Sequence, residues 1–123
     1  MKFGRENRLR SRADFERIYR QGQLLQSHEL RIFVLHKQEQ TPRLGIAISR
    51  RVGGAVKRNR IKRAIREGFR LHKAVFVGTD TVVQPKVCAG KMENRAIQTA
   101  FLKLYRRVSR SNLQREGGYS NAG

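Results

Sequence analysis

A change of period constrains this chain more than any other feature of its sequence. Residues 43–49, RLGIAIS, alternate strictly, with Leu44, Ile46 and Ile48 pointing one way and the small Gly45, Ala47 and Ser49 the other. That is the pattern of a β-strand. Past Gly53-Gly54 the spacing becomes helical. Ile61, Ala64, Ile65, Gly68 and Phe69 fall on one stripe at about 100° per residue. Asn59, Lys62, Arg63, Arg66, Arg70 and Lys73 lie opposite. An amphipathic helix over 55–73 needs an apolar surface to cover, and a sheet containing the preceding strand supplies one. The strand's small-residue face lets another element approach closely.

The same two periods place the remaining elements. Ser11 is set to cap a helix, with Asp14 at the reciprocal capping position. Phe15, Ile18 and Tyr19 follow at helical spacing, and Gly22 stands as a left-handed stop. Residues 29–37 read as a strand, with Leu30, Ile32, Val34 and His36 on one face and Phe33 and Leu35 on the other. Residues 38–42 are turn material. A short strand over 81–83 is closed by Pro85. A last helix over 93–108 carries the seam Ala96, Ile97, Ala100, Phe101, Leu104 and Val108. Residues 1–10 form a basic arm, and the polar, glycine-containing segment 112–123 is expected to be a disordered tail. The order helix, strands, helix, strand, helix predicts one α+β domain over 1–111, a sheet with helices packed on it in a two-layer arrangement.

Charge indicates what such a domain meets. The 123 residues hold 28 Lys or Arg against 9 Asp or Glu, a net charge of +19. Self-repulsion at that density calls for a polyanion. No apolar run approaches the roughly 18 residues of a membrane span, and Trp, the usual anchor of a membrane-surface helix, is absent. Nucleic acid is the expected partner. Cys88 is the only cysteine, so no internal disulfide forms; the cytosol is the expected compartment, and the thiol reads as a small buried hydrophobe. The charge is concentrated in residues 50–73, which hold ten cations: Arg50, Arg51, Lys57, Arg58, Arg60, Lys62, Arg63, Arg66, Arg70 and Lys73. Most charge runs are solvated faces that intersperse acids, but here Glu67 is the only acid. Arginine predominates, and its guanidinium fork suits phosphate. Asn59, between Arg58 and Arg60, can both donate and accept, which fits a 2′-hydroxyl or a base edge.

Catalytic groupings do not emerge. The acids are scattered, Asp14 and Glu16 point to different sides of a helix, and His28, His36 and His72 have no ligand spacing with one another or with Cys88. No active site and no metal site is expected in this chain. Phe15 and Tyr19, one helical turn apart and beside Arg17 and Arg20, suit either a core or a platform on which single-stranded bases stack; the spacing leaves both readings open.

Residues 43–70, RLGIAISRRVGGAVKRNRIKRAIREGFR, closely resemble the bacterial ribonuclease P protein family. The shared signature is Arg51-Val52-Gly53, then Arg58-Asn59-Arg60-Ile61-Lys62-Arg63, then Arg66-Glu67-Gly68-Phe69. RLRSRADFERIYRQG and DTVV at Asp80 extend the resemblance over 9–108. It implies an α-β-β-β-α-β-α order with a mixed sheet and a left-handed β-α-β crossover, against the usual hand. It also implies a role as protein subunit of an RNA enzyme that removes the 5′ leader of precursor tRNA. The RNA subunit performs the hydrolysis with Mg²⁺, and the protein alone binds no cofactor. Arg51, Arg58, Asn59, Arg60, Lys62, Arg63 and Arg66 would then contact the catalytic RNA, and Phe15, Tyr19, Val34 and His36 would hold the single-stranded leader. The chain departs from the family at His36, where an aromatic is common, and at Gln84-Pro85-Lys86, where Ala-Arg-Pro is common. The alternatives are a generic basic RNA-binding or ribosomal protein without leader preference, and a nuclease that cleaves without an RNA subunit.

Overall fold

The computed structural model describes residues 4–117, with side chains through 108. Its elements are α1 (Arg12–Gln21), β1 (Gln23–Gln26), β2 (Leu30–His36), β3 (Arg43–Ile46), α2 (Ala55–Leu71), β4 (Thr79–Pro85) and α3 (Asn94–Gly117). Short 3₁₀ turns at Arg5–Asn7, Arg50–Val52, Lys73–Phe76 and Val87–Lys91 join them. The strands form one mixed sheet in the order β1-β2-β4-β3. β1 and β4 run antiparallel to β2, with Phe33 opposite Val82. β3 runs parallel to β4, with Gly45 opposite Val82, so α2 is the crossover between two parallel neighbours. The α+β class, the element order and the mixed sheet agree with expectation.

Alternation divides the core. Leu30, Ile32, Val34, Leu44 and Val83 face α2 and α3 and pack with Ile61, Ile65, Phe69, Phe76, Ile97, Phe101 and Tyr105. Helix α1 lies across part of the opposite face, where Ile18, Leu9 and Val82 are buried beside Phe15, Tyr19, Phe33 and Leu35. The buried stripe of α2 is Ile61, Ala64, Ile65, Gly68 and Phe69, as its spacing predicts. In α3, Ile97, Phe101, Leu104 and Val108 are buried, joined by Leu102 and Tyr105, while Ala96 is exposed.

Ser11 caps α1, its hydroxyl accepting from Asp14 N–H at 3.0 Å. Asp14's carboxylate goes to Arg17 and Arg43. Gly22 ends α1, but not in the left-handed region: its φ is −77° and ψ 162°. Glycine is required there by proximity, since a Cβ would stand 2.6 Å from the Ile18 carbonyl oxygen and 3.1 Å from that of Val34. Strand β1 carried no clear sequence signal. It is four residues long, pairs on one side only, and alternates half-buried and exposed positions. The basic arm is ordered over its described residues. Leu9 N–H donates to Leu44 O at 3.0 Å, and Asn7 Nδ2 donates to Pro42 O at 2.8 Å, which fastens the arm along β3. Helix α2 stops at Leu71, two residues short of expectation, where His72 leaves helical geometry. Helix α3 continues to Gly117; of the expected tail, residues 118–123 lie outside the described ones. Cys88 is half-buried, its thiol donating to His28 O at 3.4 Å.

Candidate nucleic-acid interface

Two surfaces carry the residues singled out in the sequence. The first is the outer face of α2. Asn59, Lys62, Arg63 and Arg66 are spaced so that one helical face presents all four. Asn59 and Arg63 are exposed, and Arg51 is exposed on the 3₁₀ turn before the helix. Two of the expected contacts have structural bonds. Arg58 Nε donates to Gly53 O at 3.1 Å, bracing the glycine turn. Arg60 turns towards the start of α3: Nη1 donates to Asn94 Oδ1 at 2.7 Å and Met92 O at 3.1 Å, and Nη2 to Gly90 O at 3.4 Å. Its guanidinium pins the 87–94 segment to α2, a duty its place in the cationic run did not reveal.

Arg66 reaches the β3 edge. With Arg8, Arg10, Phe15 and Gly45 it lines a cavity of about 180 Å³. Burial, then the neighbouring Arg8 charge, lowers Arg66's pKa from the ordinary arginine value. Both effects disfavour the cation, so an anion entering this corner relieves both.

The second surface is the α1 face of the sheet. Phe15 and Tyr19 meet edge-on with centroids 6.3 Å apart, and Tyr19 meets Phe33 at 4.9 Å and 73°. All three rings are half-buried. Phe15 reaches the sheet because Gly45 has no side chain: a Cβ there would stand 2.5 Å from Phe15 Cζ. Further along the same face, Arg31 pairs with Gln84 in register and Nη1 donates to its Oε1 at 3.4 Å. These two, with Ala47, Ser49 and Lys86, line an open groove of about 490 Å³.

The structure brings together only half of the expected leader set. Phe15 and Tyr19 lie together on this face. Val34 is 1% exposed inside the main core, on the other side of the sheet. His36 is exposed at the end of β2 and shares Val34's parity, so it too points away from the aromatic cluster. The ring that joins Phe15 and Tyr19 is Phe33. Its odd parity with Leu35 was legible in the sequence; what was missing was which parity faces α1. The small residues Gly45 and Ala47 carried that signal, because the face that admits a helix closely is the small one.

Asp80 sits at the far end of this face. Burial alone raises its pKa, but hydrogen bonds from Arg43, then the attraction of Lys37, outweigh that and hold it below the usual aspartate value. Asp14 is lowered chiefly by its hydrogen bond from Arg17. Both carboxylates are thus occupied by cations. Among the described residues no three His, Cys, Asp or Glu side chains converge as a metal site would require. No helix there is long and apolar enough to cross a membrane.

Known proteins share this sequence pattern and fold. The family model for ribonuclease P matches residues 3–109. A ribonuclease P protein component from Desulforapulum autotrophicum is 35% identical over 111 residues, covering 89% of this chain and 95% of that one. One from Staphylococcus aureus is 37% identical over 95 residues, covering 76% and 83%. Among solved structures, the S. aureus RNase P protein superposes with a TM-score of 0.78 at 34% identity, covering 83% of this chain and 94% of that one. The Thermotoga maritima RNase P protein gives 0.75 at 33%, covering 81% and 96%. By sequence along nearly its whole length and by fold, this chain belongs to the ribonuclease P protein component family.

Proposed function

We propose that this chain, as the protein component of ribonuclease P, binds the enzyme's RNA subunit through the cationic face of α2 and holds the single-stranded 5′ leader of precursor tRNA on the α1 face of its sheet. The observation that carries the leader reading is the half-buried row Phe15, Tyr19 and Phe33, continuous along one sheet face with Arg31, Gln84 and Lys86. Rings wholly committed to a core are covered on all sides. These three are not, and cations beside open rings make a platform for stacked bases with their phosphates. The leader residues on this reading are Phe15, Tyr19 and Phe33.

The two surfaces border each other at the Arg8–Arg66 corner, where cations are forced together. Two RNAs converging there would otherwise need counterions between them, and the protein's charges replace those. Precursor binding is thereby favoured over mature tRNA, and the RNA catalyst works at a lower salt and Mg²⁺ concentration. The Mg²⁺ ions belong to the RNA in this scheme: Asp14 and Asp80 face guanidinium and ammonium groups, and a hard divalent cation needs carboxylates open to it. The working compartment is the cytoplasm.

The test is cleavage of 5′-extended precursor tRNA at low Mg²⁺ by the RNA subunit with and without this protein, beside a protein-only control. Cleavage that requires both is the expected result. No stimulation would reduce the chain to a generic RNA binder, and cleavage by protein alone would move the chemistry into it. Arg63→Glu should weaken assembly with the RNA subunit and lower its salt dependence, because Arg63 is exposed and makes no structural bond comparable to Arg60's.

A further inference from the structure

Asp80 is used by neither the cationic helix nor the aromatic row. It shares the α1 face with Val82, two residues along β4, and its side chain is 2% exposed. Its Oδ1 accepts from Arg43 Nε at 3.0 Å and lies 2.8 Å from Lys37 Nζ; its Oδ2 accepts from Arg43 Nη2 at 2.8 Å and from Arg17 Nη2 at 3.3 Å. Arg17 Nη1 donates to Asp14 at 2.8 Å, and Arg43 Nη1 lies 3.5 Å from the same carboxylate. Two acids thus bind three cations drawn from α1, from the residue after β2, and from β3.

The rest of the α1 contact is apolar: Ile18 against Val82, with Leu9, Phe15, Tyr19 and Leu35 around them. Apolar burial holds a helix down but is non-directional. Guanidinium forks on carboxylates are directional. A buried ionic cluster is in general no more stabilising than apolar residues of the same volume, and its best-attested use is to fix one geometry. Here the geometry fixed is the seat of α1, which carries Tyr19 at 4.9 Å from Phe33 on the sheet.

We propose that Asp80 is a positioning residue for leader recognition: by gathering Arg17, Lys37 and Arg43 it sets α1 over the sheet and so the seat of Tyr19 against Phe33, the ring pair on whose open side a leader base stacks. The proposal rests on the leader reading given above.

Charge and positioning predict opposite signs, which makes the test sharp. Asp80→Asn removes a negative charge on the face of the proposed leader track, so electrostatics alone tightens the hold on the leader. Loss of positioning weakens only the leader-dependent part. The measurement is the affinity of the reconstituted holoenzyme for leader-bearing precursor relative to mature tRNA, with RNA-subunit affinity and far-UV dichroism as controls. Asp80→Asn should lower that ratio about tenfold, the worth of one stacked base, with RNA-subunit affinity unchanged. A ratio at or above wild type overturns the proposal. Should Asp80→Asn fail to fold, Arg17→Lys decides instead. Arg17 is more than one-third exposed, and lysine keeps its charge while losing the fork that spans Asp14 and Asp80. A lowered ratio supports positioning, and a wild-type ratio overturns it. Tyr19→Ala runs alongside: if its ratio is unchanged, the leader reading itself has failed, a result distinct from failure at Asp80.

Discussion

Under α2 and α3 the sheet buries Leu30, Ile32, Val34 and Val83 almost completely, whereas under α1 it leaves Phe33 and Leu35 half-covered beside Phe15 and Tyr19. The difference begins with length. The ten residues of α1 make a helix of about 15 Å, while the seven-residue strands β2 and β4 extend about 23 Å. One short helix cannot roof that face, and the end carrying Arg31, Gln84 and Ala47 stays open. One face of the sheet supplies the stability, and the other can then be left short of cover for a ligand.

The largest effect should come from the covered face. Phe76 is wholly buried, with ring centroids 4.8 Å from Phe69, 5.3 Å from Phe101 and 4.3 Å from Tyr105. Phe76→Ala should cost about 3–5 kcal/mol in urea unfolding. A loss below about 1 kcal/mol, the level of ordinary surface changes, would break the claim that this face carries the fold.

Acid should loosen the other face. Asp14 and Asp80 have folded-state pKa values below the ordinary aspartate value, so the unfolded chain takes up their protons first as pH falls. Their stabilisation is therefore present above the unfolded value of about 3.9 and is lost as pH falls through that value towards the folded ones. The urea midpoint should drop across this window, and Asp80→Asn should flatten the drop. An equal drop in wild type and variant would take Asp80 out of the linkage.

What could be read in advance follows the same division. On α2 the stripe Ile61, Ala64, Ile65, Gly68 and Phe69 meets one large apolar surface, so periodicity identified its buried side without ambiguity. β2 carries apolar residues at both parities, and no pattern within the strand says which parity meets α1. The resemblance, not the alternation, puts Val34 and His36 with the leader, and the structure sets both on the parity away from α1. Arg60's structural duty stays hidden in the sequence because bonds to Met92 and Asn94, more than thirty residues on, cannot be seen from a local run of cations. Asp80 could be placed on a strand, but not found as an ionic centre, because its partners come from three separate elements. Local spacing reports burial well and reports partners poorly.

Tyr19→Ala tests the open face with a smaller effect. Half-buried against Phe15 and Phe33, Tyr19 should contribute about 1–3 kcal/mol to leader binding if a base stacks on it. The loss should be confined to leader-bearing precursor and leave mature tRNA affinity unchanged. Equal loss for both would mean that the ring supports the fold and not the leader.

The smallest effect is expected at His36, and it separates the two faces most directly. The resemblance places this residue with the leader, but the structure gives it Val34's parity, at an exposed strand end on the side away from Tyr19. His36→Ala should therefore change the precursor-to-mature affinity ratio by no more than about 0.5 kcal/mol, the usual range for a surface substitution. A loss comparable to that of Tyr19→Ala would mean that the leader rounds the end of β2 and touches both faces. The division between a face for folding and a face for RNA would then hold along the strands but not at their ends.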